Sequence, residues 1–337
     1  MKSRQRTADL LKGLAVLFMI QVHLLELFAQ QQIYDGLVGK ISLFLGGPPA
    51  APIFMAVMGY FLAFSNKGLK SSLMRGGKLI IWGLALNIGL NLNLFYHIYN
   101  ASFQMGYMEY LLGVDILFLA GLSVIIIGVL KHFFKDKSLY YIVILLIIIL
   151  LPEFFKAADY EGVTKYIMAY FYSNNWWSYF PLIPWLAYVL LGYILKLEMH
   201  RIKIHLEKKK TLLILGALTL VSLGFANNMD VSSNLEEYYH HGAYYFFFVL
   251  AFMILWTVLA NEITNSFNNK GTNYIEWLGK NVTRAYVFQW LIIGNIATAI
   301  YKTQNLWQLS FWLLGIIAIV SMLVYVWGLL KKKINSL

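Results

Sequence analysis

Long apolar runs separated by short basic loops constrain the fold of this chain more than any other feature. Sixty per cent of its 337 residues are hydrophobic and 13% are charged. A soluble fold of this size has no interior large enough to bury such runs, whereas runs of about 20 apolar residues match helices that cross a bilayer. The sequence therefore predicts an all-α polytopic integral membrane protein, in which residues 1–337 form a single transmembrane domain.

Ten apolar segments have roughly the length of a membrane-spanning helix. They are residues 10–29, 49–65, 77–95, 111–130, 138–152, 180–196, 211–226, 244–262, 282–300 and 309–330. If both termini are cytoplasmic, 23 of the 27 Lys and Arg residues lie on the cytoplasmic side, beginning with Lys2 and Arg4. This distribution fits the positive-inside rule, so we expect both termini in the cytoplasm and the protein in the plasma membrane.

The composition excludes several kinds of chemistry. Because the chain has no cysteine, it has no disulfide, thiolate zinc site, iron–sulfur cluster or cysteine nucleophile. The net charge of +11 comes from short clusters between apolar runs, which argues for contact with the lipid bilayer and against a nucleic-acid partner. His240 and His241 lie beside two glutamates in a predicted outer loop. Such a loop cluster is usually exposed polar surface, so we expect no metal.

Ionisable residues in the first apolar run are the main candidates for function, because they are costly in lipid. Lys12 and His23 are eleven positions apart, which places them on one helix face about 16 Å apart along the axis. Glu26, one turn later, is predicted to hydrogen-bond the imidazole, and Asp9 is placed to pair with Lys12. The spacing suits an acyl-CoA whose phosphates bind cations while its thioester reaches a neutral imidazole. A structural His23, with Lys12 extending to the headgroups, is the alternative.

Other polar positions allow two interpretations each. Asp115, in the fourth run, is predicted either to pair with His23 or a Lys inside a cavity, or to accept backbone N–H bonds at a helix N-terminus. Arg75 and Lys78 begin the third run, where the positive-inside rule alone explains them. The segment GGPPAAP, Gly46–Pro52, cannot be regular helix throughout, and we expect an irregular segment that lines a cavity.

Three loops predicted to lie outside are aromatic and contain few basic residues. They are residues 96–110, 160–180 and 230–245. Tyr and Trp in such loops are typical of the membrane–water interface. They also suit a platform on which sugar rings stack, and the sequence leaves both interpretations open.

Six segments carry motifs that occur together, in this order, in one group of membrane enzymes. They are RTADLLKGLAVLFMIQVH (Arg6–His23), APIFMAVMGYFLAF (Ala51–Phe64), LMRGGKLIIWGLALN (Leu73–Asn87), GVDILFLAGL (Gly113–Leu122), YFPLIPWLAYVLLGYIL (Tyr179–Leu195) and WLGKNVTRAYVFQW (Trp277–Trp290). With these segments the chain resembles membrane acyltransferases related to acyltransferase-3 and to heparan-alpha-glucosaminide N-acetyltransferase. It departs from the group at Met58, where Ser is usual, and at Gln289, where many relatives carry His.

The resemblance implies that an acyl group, commonly acetyl, passes from cytoplasmic acyl-CoA, as co-substrate, to a sugar, glycan or glycolipid outside. It implies His23 as catalytic base or transient acyl carrier, with Glu26 beside it and Asp115 as a partner in the cavity. Cations would hold the phosphate end of the donor; on the resemblance these are Arg6, Lys12, Arg75 and Lys78. Gln289 puts a mechanism with a second histidine in doubt and points to an unusual acceptor.

A proton-coupled transporter or flippase of a small polar or glycan substrate is the alternative from a different class. In that case Lys12, His23, Glu26 and Asp115 would form a proton relay without covalent chemistry. The chain shows no internal sequence repeat, and many transporter folds are built from such repeats. The sequence therefore favours the acyltransferase.

Overall fold

The computed structural model describes residues 5–158 and 160–335, with the exception of the side chains of residues 202–208 and 335. Within this part of the chain the regular structure is helical, and one isolated backbone bridge joins Ala29 to Gln304. The all-α class predicted from the apolar runs is confirmed. Lys2 and Arg4, from the first predicted basic cluster, lie outside the described residues, as do the side chains of Lys203 and Lys208 from a later one.

The helices alternate between long apolar elements and short amphipathic or polar ones. In chain order they are α1 (Arg6–Phe28), α2 (Gln31–Asp35), α3 (Leu37–Gly46), α4 (Ala51–Ala63), α5 (Leu69–Leu90), α6 (Leu92–Tyr99), α7 (Met108–Leu111), α8 (Ile116–Phe134), α9 (Ser138–Phe154), α10 (Thr164–Met168), α11 (Leu182–Leu197), α12 (Met199–Ser233), α13 (Leu235–Tyr239), α14 (Ala243–Ser266), α15 (Lys270–Lys280), α16 (Val282–Ile300) and α17 (Leu306–Asn335).

Seven helical segments of the described chain are long and apolar enough to cross a membrane. They are Arg6–Phe28, Leu37–Ala63, Leu69–Leu90, Ile116–Phe134, Lys209–Ser233, Ala243–Ser266 and Leu306–Ile334. Each coincides with one of the ten predicted runs. Two further runs correspond to the shorter apolar helices α9 and α11, and the run 282–300 corresponds to α16. The chain is thus an integral membrane protein, while the ten spans and the orientation of the termini stay predictions.

The segment Gly46–Pro52 interrupts the helix, as its glycines and prolines predict. Helix α3 ends at Gly46, residues 47–50 form a turn, and α4 begins at Ala51. Gly46 also lies against α1, where a Cβ atom would overlap the side chain of Val22. Glycine at this position therefore allows α3 to pack closely on the helix that carries His23.

The helices form two compact units. The first contains Met1–Ala50, Ile88–Met105 and Thr257–Leu337, and the second contains Ala51–Asn87 and Gly106–Trp256. In the first unit α1 packs against α3, α15, α16 and α17, so the helix with the predicted site is the central one. In the second unit α11 packs against α4, α8 and α9. The single domain predicted for the chain stays a prediction.

Candidate functional site

His23 lies in the C-terminal half of α1, where α16 faces it. Its ring centroid is 4.0 Å from that of Trp290, and the two planes are inclined by 34°. Its Nδ1 atom is buried and has no hydrogen-bond partner among the described residues, although the side chain as a whole is partly exposed. The imidazole is therefore held by ring packing and keeps a nitrogen for a group that the protein itself does not supply.

The hydrogen bond predicted between Glu26 and the imidazole is absent from the described part of the chain, so that prediction is wrong. The carboxylate of Glu26 instead interacts electrostatically with Lys302, a residue of the loop after α16. The Lys302 ammonium is 3.7 Å above the centre of the Tyr34 ring. Burial lowers the pKa of Lys302, and the negative charges of Glu26 and Asp35 offset this only in part. The sequence did not indicate this cluster, because its members are distant along the chain.

The N-terminal end of α1 is held by ion pairs. Lys12 Nζ lies 2.9 Å from Asp9 Oδ1, which confirms the predicted pair. The guanidinium of Arg6 lies 2.9 Å from Glu276 of α15 and donates at 2.8 Å to the carbonyl of Thr264. These contacts fix the start of α1. A role of Arg6 and Lys12 in donor binding stays a prediction, and for both residues it would require exchange of existing contacts.

Glycine allows α1 and α15 to approach each other in this region. A Cβ on Gly13 would overlap the carbonyl of Ile275, and one on Gly279 would overlap the carbonyl of Asp9. Contact between the helices at backbone distance leaves the Lys12 and Asp9 side chains only 16% and 6% exposed. The first unit thus places four predicted residues along α1: Arg6, Lys12, His23 and Glu26.

Asp115, a predicted catalytic residue, begins a helix of the second unit. Its Oδ1 accepts hydrogen bonds from the backbone N–H groups of Leu117 at 2.8 Å and Phe118 at 3.3 Å, so it is the N-cap of α8. Asn87 fixes the preceding loop, because its amide donates to the carbonyls of Leu111 and Gly113. Of the two interpretations of Asp115, the structure therefore shows the one at a helix N-terminus.

Arg75 and Lys78, predicted to bind the donor, have different surroundings on α5. Lys78 is exposed, whereas Arg75 lines a small cleft of the second unit together with Lys67 and Lys131. Lys131 Nζ donates at 2.8 Å to the carbonyl of Ser65, another residue of the cleft. Three cations around one cleft form a surface suited to a phosphate. Sequence reasoning missed Lys67 and Lys131, because in separate loops they indicate only topology.

A polar cluster in the second unit joins two of the aromatic loops. Glu109 accepts from Lys165 at 3.0 Å and from the hydroxyl of Tyr166 at 3.1 Å. Burial alone would raise the pKa of Glu109, but these hydrogen bonds outweigh it and lower the pKa. Nearby in this unit, Trp176 packs edge-on against Tyr110 with the ring centroids 5.4 Å apart, yet 54% of Trp176 is exposed. An indole held in place with an exposed face fits the platform interpretation.

His241 of the third aromatic loop is not exposed polar surface, which corrects the prediction for this residue. His241 is only 3% exposed. Its Nε2 lies 2.8 Å from the hydroxyl of Tyr188, and its Nδ1 lies 2.7 Å from the carbonyl of Tyr238. Both ring nitrogens are therefore used within the fold of the second unit. The prediction failed because the adjacent glutamates are polar while the partner Tyr188 is far away in the sequence.

The long apolar helices, among them α1 with its ionisable side chains, define a polytopic α-helical membrane protein. Residues 6–331 match the model of the acyltransferase-3 family, which is described as an acyltransferase domain, so the chain belongs to this family. The match spans nearly the whole chain and confirms the family predicted from the six motifs. Neither a curated protein nor a solved structure matches the chain.

Proposed function

We propose that this protein is a plasma-membrane acyltransferase that transfers an acyl group, in the simplest case acetyl, from cytoplasmic acyl-CoA to a sugar, glycan or glycolipid outside. Membership in the acyltransferase-3 family supports acyl transfer. The observation that supports His23 as the catalytic residue is its buried Nδ1, which has no hydrogen-bond partner among the described residues and lies beside Trp290. Burial of a nitrogen that makes no hydrogen bond is unfavourable unless a ligand supplies the missing partner.

Two groups of cations support a phosphorylated donor. Lys12 lies eleven residues before His23 on the same face of α1, about 16 Å along the axis, which is close to the reach of a pantetheine arm. In the second unit, Arg75 shares its cleft with Lys67 and Lys131. In the proposal each of these groups binds phosphate within its own unit, and both termini of the chain lie on the donor side.

His23 would act on the acceptor. As general base, its neutral imidazole takes the proton of the acceptor hydroxyl while the oxygen attacks the thioester carbon. A C–O bond forms, the C–S bond breaks, and the leaving thiolate takes the proton from the imidazolium to give free CoA. In the two-step alternative the imidazole attacks the thioester carbon, so that a C–N bond forms, the C–S bond breaks and the thiolate takes the ring proton to leave as CoA. The acceptor hydroxyl then attacks the acyl-imidazole, a C–O bond forms, the C–N bond breaks and the hydroxyl proton returns to the ring. Glu26 lies one helical turn further along α1, where its carboxylate would stabilise the positive charge that develops on the imidazole.

The aromatic loops support a sugar acceptor. The exposed face of Trp176 offers a stacking surface, and the carboxylate of Glu109 offers hydrogen-bond acceptors for hydroxyl groups in the same unit. These two features support an acceptor that has hydroxyl groups and flat apolar faces, such as a sugar ring.

The experiment that tests the proposal is release of CoA thiol from acetyl-CoA by the purified protein in lipid vesicles, with and without added mono- and oligosaccharides. Because the chain has no cysteine, a thiol reagent detects released CoA without background from the protein. We expect slow release with water as acceptor, faster release with a suitable sugar, and none in the His23→Ala variant. His132→Ala, at an exposed histidine of α8, is the matched control and should behave as wild type. Absence of thiol release by the wild-type protein, together with movement of a substrate across the vesicle membrane, would favour the transporter or flippase.

A further inference from the structure

Gln289 of α16 has a carboxamide with no use in the fold. The residue is fully buried, and neither its Nε2 nor its Oε1 has a hydrogen-bond partner among the described residues. Burial of an amide without partners is unfavourable, and most buried amides in proteins are therefore hydrogen-bonded. Gln289 thus keeps one donor group and one acceptor atom for something other than the protein.

Gln289 lies on the same side of α16 as the wall of the His23 site. It directly precedes Trp290, the residue whose ring packs against the imidazole at 4.0 Å. In a helix of 3.6 residues per turn the two side chains diverge by about 100°, and both flank the buried stripe formed by Tyr286 and Ile293. α16 packs against α1, and the contact includes the ring pair of Trp290 and His23. The unpartnered amide and the unpartnered Nδ1 of His23 therefore belong to the same pair of helices.

Two partly buried amides of the first unit show that lack of partners is not general there. On the same helix, Asn295 donates to the carbonyls of Gly89 and Leu291, each at 2.8 Å, and accepts from the backbone N–H of Asn93 at 2.9 Å. On α1, Gln21 donates to the carbonyl of Ser42 at 2.8 Å and accepts from the Ser42 hydroxyl. These two amides connect helices, whereas Gln289 connects nothing.

We propose that Gln289 is a catalytic residue that binds the acyl carbonyl oxygen of the donor through its amide N–H. This inference rests on the proposed function. When the acceptor oxygen attacks, the carbonyl oxygen gains negative charge, and a donor already fixed in a water-poor site stabilises that charge without reorganisation. The charge returns to the carbonyl as the C–S bond breaks. A neutral amide cannot take the proton, so Gln289 complements His23 as base and does not replace it.

The test compares the variants Gln289→Met and Gln289→Glu with the wild-type protein in the acetyl-CoA thiol-release assay. Methionine keeps the length of the side chain and removes both polar atoms, and glutamate keeps the shape but cannot donate as a carboxylate. We expect kcat to fall by about 100- to 1000-fold in both variants, with the KM for acetyl-CoA little changed. The thermal midpoint of Gln289→Met should equal or exceed that of the wild type, because no hydrogen bond is lost.

Gln21→Met and Asn295→Leu are the matched controls. Both remove amides whose hydrogen bonds are made within the protein, so both should lower the thermal midpoint while the folded protein keeps its kcat. Two results would overturn the inference: wild-type kcat in Gln289→Met, or a loss of thermal stability as large as in the controls. An active wild type with an active Gln289→Met refutes only this inference, whereas an inactive wild type refutes the proposed function and this inference with it.

Discussion

Two histidines, one in each unit, have opposite surroundings. His241 has a partner on both ring nitrogens, the hydroxyl of Tyr188 and the carbonyl of Tyr238. Nδ1 of His23 has no hydrogen-bond partner among the described residues, and the ring is held by packing against Trp290. Burial lowers the pKa of His241 to about 4, so it is neutral at physiological pH and stays so. A histidine whose bonding capacity is used within the fold is structural, and one whose capacity is left open is suited to chemistry.

The largest effect should come from His23. We expect His23→Ala to reduce thiol release from acetyl-CoA to the uncatalysed level, because the proposed base or acyl carrier is lost. Its thermal midpoint should fall only through the lost ring packing on Trp290, since no hydrogen bond from Nδ1 is lost. The measurement is thiol release beside a thermal unfolding curve in the same vesicles. Retained activity of His23→Ala would show that His23 is neither the base nor the acyl carrier, and the contrast with His241 would fail.

His241 should show the reverse pattern. We expect His241→Phe to lower the free energy of unfolding by about 1–3 kcal/mol, because it leaves the buried hydroxyl of Tyr188 without a partner. The double variant with Tyr188→Phe should be less destabilised than the sum of the two single variants, since the pair is then removed together. Activity per folded molecule should stay near that of the wild type. A variant that folds as well as the wild type would show that His241 is not a structural residue.

The contrast between the histidines also shows what the sequence predicts well. Local spacing predicts local contacts: Asp9 and Lys12, three positions apart, form the expected ion pair, and Gly46–Pro52 breaks the helix where its prolines require it. The apolar runs predict seven of the long helices, because the bilayer imposes length and hydrophobicity on each segment separately. Features that depend on a single segment, such as a local ion pair, a helix break or the length of a helix, could therefore be predicted.

Contacts between segments that are distant along the chain could not be predicted from the sequence. Glu26 was expected to bond its neighbour His23, but Lys302, from a loop near the other end of the chain, supplies its charge partner. Trp290 faces His23 only because α16 packs on α1, and no spacing rule indicates that. Gln289 stood out in the sequence solely as a departure from the family pattern, and its unpartnered amide became evident from burial. Tertiary packing decides these points, and the spacing of residues in a single sequence carries no signal of it.

A smaller effect is expected at the other end of α1. Lys12→Met should raise the KM for acetyl-CoA about tenfold, as expected for loss of one charge contact of about 1.4 kcal/mol to a phosphate, with kcat little changed. Lys40→Met, at a lysine of the short helix α3 that is predicted to face outside, is the control and should leave the KM unchanged. Saturation curves at low and moderate salt would measure both. A fall in kcat with unchanged KM would place Lys12 in the chemical step instead of donor binding.

The smallest effect concerns the ion pair between the aromatic loops of the second unit. The pKa of Glu109 in the folded protein lies below its ordinary value of 4.5, so its contribution to stability is present above pH 4.5 and is lost as the pH falls through the lower folded value. The pKa of Lys165 is raised above 10.5 by its hydrogen bond to Glu109, so its contribution is lost only as the pH rises through that higher value. Thermal midpoints from pH 3 to 8 should therefore fall at the acid end in the wild type and fall less in Glu109→Gln. Equal slopes would show that the pair does not stabilise the loops.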